Sequence, residues 1–230
     1  MGIRIPNFEP LFFSMKKILF ALFFLAVTPV FAQQNAGEAL LKYLPAYDTT
    51  WNLEAKTELA NKFDLIARKW PDSWAANYYA AYAKAQLSYA QPDTKTKDAL
   101  IDEAENYANT AATLIGREWD ELYVLQASIA SARLSADPQA RWQKYGKMFD
   151  QNLDKAKAMN PENPRIYLLR GTSKLYTPKM FGGGKKAALP YFEKAAPLFA
   201  KEEKTNPEKP FWGWEANGFM LRQATGEDKE

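Results

Sequence analysis

An all-α chain, built as an α-α superhelix of about nine antiparallel helices, is what this sequence predicts, and three observations carry it. Ala, Leu, Glu, Lys and Gln dominate the region after residue 32, and no stretch alternates apolar and polar residues with a period of two. Prolines and glycines recur between the helical stretches and punctuate them. Pro71, Gly116, Pro161 and Pro207 each close a helical run, and their near-constant spacing of about 45 residues marks a repeat of stacked helix pairs.

The elements follow in order. Residues 1–32 read as a leader: Lys16 and Lys17 precede the apolar run Ile18 to Val27, Thr28-Pro29 breaks it, and Val30-Phe31-Ala32 offers a cut after Ala32. The run is shorter than the ~20 apolar residues of a spanning helix, so the expectation is a periplasmic or secreted protein with no transmembrane span once the leader is cleaved. Met15 is the more natural start of such a leader, which leaves translation from Met1 or Met15 open. Residues 33–230 form one repeat domain with units at 36–71, 72–116, 117–161 and 162–207 and a terminal helix at 208–225. The helices are expected near 37–44, 52–69, 73–90, 95–115, 118–135, 139–159, 164–177, 185–204 and 211–224, with a frayed polar tail at 227–230.

Before each closing residue lies an apolar or small triplet stepped by four and then three. These are Leu59, Phe63, Ile66; Ala104, Ala108, Ala111; Phe149, Leu153, Ala156; and Ala188, Phe192, Ala195. Such steps put each triplet on one helical stripe that has to pack on a neighbour. Asn160-Pro161-Glu162-Asn163-Pro164 recurs as Asn206-Pro207-Glu208-Lys209-Pro210. Proline suits that position because it ends one helix and is tolerated in the first turn of the next.

Pro164 to Ala195, with Gly171 at a small position and Ala188-x3-Phe192-x2-Ala195 in the second helix, resembles the tetratricopeptide repeat family, as does Phe149-x3-Leu153-x2-Ala156-x4-Pro161. Ala81 and Asn217 or Gly218 fill the small position in other units. The family period is about 34, so each unit here is longer. The resemblance implies a concave face lined by the first helix of each pair. The glycine-rich turn Gly182-Gly183-Gly184 before Lys185-Lys186 is similar to that of exported repeat subunits of the TatT type, which accompany solute transporters. That likeness implies a lipophilic ligand or a solute-binding partner.

Composition narrows the chemistry. With no Cys and no His, there is no thiol nucleophile, disulfide, Cys/His zinc site or imidazole base. Without the leader the charge is nearly balanced, which is unlike the basic stripe of a nucleic-acid binder. Acidic pairs such as Asp102/Glu105 and Glu202/Glu203 sit among lysines and read as solvated helix faces. The chain therefore reads as non-enzymatic, with no cofactor and no metal. In the repeat register Tyr78, Tyr82, Tyr123 and Trp214 face the groove, where they serve either as packing or as an aromatic binding surface. Arg170 and Lys174 either meet an acidic group there or remain surface charge. The glycine turn reads as a long turn ahead of an anion-binding nest. A protein or peptide partner in the cell envelope is the expected occupant of the groove, with a small lipophilic ligand or an accessory role beside a solute transporter as the alternative.

Overall fold

A computed structural model describes residues 1–2 and 35–226; the leader, its cut after Ala32 and the tail 227–230 lie outside the described residues. Asn35–Glu230 forms a compact unit with its own core. Its helices are α1 Ala36–Leu41, α2 Leu44–Thr49, α3 Leu53–Lys69, α4 Trp74–Ser88, α5 Thr94–Ile115, α6 Asp120–Ala136, α7 Pro138–Arg141, α8 Lys147–Met159, α9 Pro164–Tyr176, α10 Lys185–Phe199 and α11 Trp214–Thr225. No strand occurs among the described residues.

Local chemistry sets most of these boundaries. Asn35, Asn52, Ser73, Asp93, Asp137 and Asn163 each cap a helix by accepting a backbone N–H of its first turn. The expected first helix is two short ones, because Pro45 starts a second turn at α2. The expected helix 139–159 is interrupted by a π-helical turn, Trp142–Gly146, that joins α7 to α8. The helix expected to reach 204 stops at Phe199, and residues 200–213 form a long non-helical segment before α11.

All but one of the stepped-triplet residues are buried, and Leu59 is half-buried. Helices adjacent in sequence pack on one another: α3 on α4, α4 on α5, α5 on α6, α6 on α8, α9 on α10, and α10 on α11. The leading helices α4, α6 and α9 also touch in series, and α9 touches α11. Polar bridges between units span 43 residues at Tyr78–Glu121, Tyr107–Asp64, Arg141–Asp98 and Asn163–Asp120. Each bridge thus joins stretches 43 residues apart, near the 45-residue spacing of the closing residues.

Gly171 shows why a small residue is needed between paired helices. A Cβ there would lie 2.6 Å from the ring of Phe192 on α10. Helix α4 is buried on nearly every side by virtue of six alanines that let its neighbours approach, so it forms the centre of the unit.

Candidate ligand-binding site

The segment 200–213 decides what the leading helices face. It carries Phe211 and Trp212 inward, both buried, against the tyrosines of α4. Trp212 stacks on Tyr82 at 4.4 Å between ring centroids and 24° between planes. Its Nε1–H donates to the Tyr78 hydroxyl at 2.8 Å, and that hydroxyl donates to Glu121 at 2.8 Å. Glu121 also accepts from Asn163 at 2.7 Å and from Arg165 at 3.0 Å.

Arg165 is the hub that holds the segment. It is 1% exposed, bonds both oxygens of Glu202 at 2.7 and 3.0 Å, donates to the Pro210 carbonyl, and lies over the Trp212 ring at 5.2 Å. Burial opposes its charge, and Glu121 and Glu202 outweigh burial, so the guanidinium is held protonated. Burial pushes the Glu121 carboxyl up to about 7, with Arg165 pulling the other way. The far end of the segment is pinned by Asp48 on α2, which accepts the Gly213 N–H at 3.0 Å. Gly213 is required there: its φ is +99°, and a Cβ would lie 2.7 Å from Leu168.

Beside this plug, under α2, remains a cavity of about 140 Å³ whose lining is mainly apolar and includes Tyr47, Tyr82, Phe211, Trp212 and Trp214, with Lys204 at its edge. The Tyr47 hydroxyl is spent on the Ala83 carbonyl at 2.9 Å, so the ring is what it offers the cavity. Lys56 spans outward from here, 4.8 Å over the Tyr47 ring and 5.7 Å over that of Trp51. Trp51, 60% exposed, lies against Phe219 of α11 at 5.0 Å with a 40° tilt. The next residue, Met220, meets the hydroxyl of Tyr176 at 3.9 Å, and Tyr176 is 69% exposed. An aromatic and thioether stripe therefore runs from the cavity across α11 to the end of α9.

The residues singled out from sequence scatter. Tyr82 and Trp214 line the cavity, and Tyr78 lies fully buried beneath it. Tyr123 is elsewhere, donating to Glu118 at 2.6 Å under the ammonium of Lys155. Arg170 is engaged by Asp150 and Asp154 of α8 at 3.4 and 2.6 Å. Lys174 is half-buried at the end of α9, where its carbonyl accepts the Gly184 N–H. The N–H groups of Gly182, Gly183 and Gly184 all donate to backbone carbonyls, so the glycine turn presents no anion nest. Trp51, Phe219 and Trp212 were missed. The only local signal was the aromatic density of Phe211-Trp212-Gly213-Trp214.

No family model matches the chain, and no curated protein matches it. Among solved structures, the HusA haemophore from Porphyromonas gingivalis is similar at 35% identity, over 84% of this chain and 94% of that one, with a TM-score of 0.68. The chain belongs to the HusA family. Membership matches the all-helical architecture and places a ligand-binding protein among its relatives. Among the described residues no helix is long and apolar enough to cross a membrane, and no acidic cluster of metal-ligand type occurs.

Proposed function

We propose that this HusA-family protein is an exported, non-enzymatic carrier of a flat lipophilic ligand, with haem or a related porphyrin as its cargo. The observation that carries the reading is the contact of exposed Trp51 with half-buried Phe219 near an aromatic cavity, in a chain 35% identical to a haemophore. Two tilted aromatic faces and a nearby thioether suit a planar macrocycle, since stacking needs area rather than a shaped polar pocket. With no His or Cys in the chain, Tyr176 and Met220 are the side chains beside the pair that could meet a haem iron. Stacking on the ring supplies contact area whether or not such a donor meets the iron.

Export rests on the leader with its cut after Ala32. The units linked across 43 residues support a tetratricopeptide-like superhelical stack. A protein or peptide partner, or a transporter for which this chain is an accessory, is the second reading, motivated by the same stacking of leading helices.

The test is a titration of residues 35–230 with hemin and with metal-free protoporphyrin IX, read by Soret absorbance and tryptophan quenching. Both are expected to bind, and Trp51→Ala and Phe219→Ala are each expected to weaken binding by about tenfold, the worth of one stacking contact. Absence of binding to either compound, or wild-type affinity in both variants, overturns the reading.

A further inference from the structure

The turn between α9 and α10 sends apolar side chains outward. Met180 and Phe181 are 82% and 70% exposed, on a 3₁₀ turn at Lys179–Phe181. The turn is closed on itself: Gly182 N–H donates to Lys179 at 3.0 Å, Gly183 to Pro178 at 3.3 Å and Gly184 to Lys174 at 2.8 Å. The last of these bonds ties the start of α10 to the end of α9, and the Lys179 stem lies along Gly184. Lys174, Lys179, Lys185 and Lys186 are thereby gathered at one end of the helix pair. Among the described residues none of the four is in an ion pair. From Asn163 through Phe192 the chain contains no Asp or Glu, and the two arginines in that stretch are already taken by carboxylates.

We infer that this tip docks the protein on an anionic phospholipid surface, with Met180 and Phe181 entering the headgroup layer and the lysines facing lipid phosphates. The physical form favours lipid over an acidic protein. Protein interfaces need broad complementary area, enrich Arg and deplete Lys. Here a short turn offers exposed Met180 and Phe181, with Tyr176 also exposed nearby and four lysines close in the chain, the combination that binds charged bilayers by shallow insertion and Coulomb attraction. The inference is independent of the ligand reading, since neither Met180 nor Phe181 belongs to the aromatic stripe. A surface-docked carrier would meet membrane components without a spanning segment.

The experiment uses residues 35–230, because the apolar leader would bind lipid by itself. Co-sedimentation is measured with phosphatidylcholine vesicles with and without phosphatidylglycerol. Binding is expected only with the anionic lipid, and it should fall steeply with salt. Lys185→Gln with Lys186→Gln should lower the partition coefficient by about 25-fold, at about fivefold per lysine. Met180→Ser with Phe181→Ser should lower it several-fold, and circular dichroism should show both variants folded. The proposal is overturned by an absence of sedimentation on anionic vesicles or by equal binding to neutral ones. It is equally overturned if the Met180/Phe181 variant partitions like the parent, the result expected if the lysines serve an acidic protein instead.

Discussion

Arg165 and Glu121 show how much of this molecule depends on single buried charges. Glu121 prefers to be protonated in the folded state, because burial disfavours its anion more than Arg165 favours it. Its folded pKa of about 7 lies above the 4.5 of an ordinary glutamate, so the folded state binds the proton more tightly. Stability is therefore expected to fall as pH rises between those two values, by up to about 3 kcal/mol from this group. Burial also raises Asp48 and Glu202, which push in the same direction. Urea unfolding of the parent between pH 5 and 8 should show that decline, and Glu121→Gln should flatten much of it. A parent whose stability climbs over the same range would contradict the assignment. None of this is legible in the sequence, because only the arrival of Arg165, Asn163 and Tyr78 from other elements removes Glu121 from water.

Helix pairs are decided by small residues facing large ones. At Gly171 two effects oppose each other: alanine gains helix propensity of about 1 kcal/mol, whereas its Cβ would collide with the fully buried Phe192 ring. Overpacking of a closed core costs about 1–3 kcal/mol, so Gly171→Ala should lower the urea midpoint, and Phe192→Leu in that background should recover part of the loss. A Gly171→Ala protein at least as stable as the parent would mean that α9 and α10 are free to separate. The repeat register named Gly171 and the stepped triplets correctly because each lies on a local stripe of one helix. The repeat resemblance put Tyr78 and Tyr82 toward a groove, but their burial was not legible, since segment 200–213 has no periodicity of its own and its course is set by Arg165, Asp48 and the aromatic rings it covers.

Across the whole unit, the two ends meet. Asp48 and Gly213 are 165 positions apart and Tyr78 and Trp212 are 134 apart, yet both pairs are hydrogen-bonded. Repeat stacks with only neighbour contacts lose cooperativity from their ends. Here the terminal elements close on each other, so unfolding followed by tryptophan fluorescence and by far-ultraviolet circular dichroism should coincide in one transition. Asp48→Ala should lower the midpoint by leaving the Gly213 N–H without its acceptor, at a cost of about 1–3 kcal/mol. Separate transitions for the two signals in the parent would show that α2 and α11 melt on their own.

The sequence alone determined the helical class, the 45-residue spacing, the buried stripes and the exclusion of His and Cys chemistry. Those are properties of neighbouring residues, written by i to i+4 bonding, proline geometry and composition. Which aromatic rings stay in water and which are covered was decided only by tertiary structure. The plug, the cavity and the Trp51–Phe219 pair join residues far apart in the chain, and long-range packing, rather than local periodicity, selects those partners.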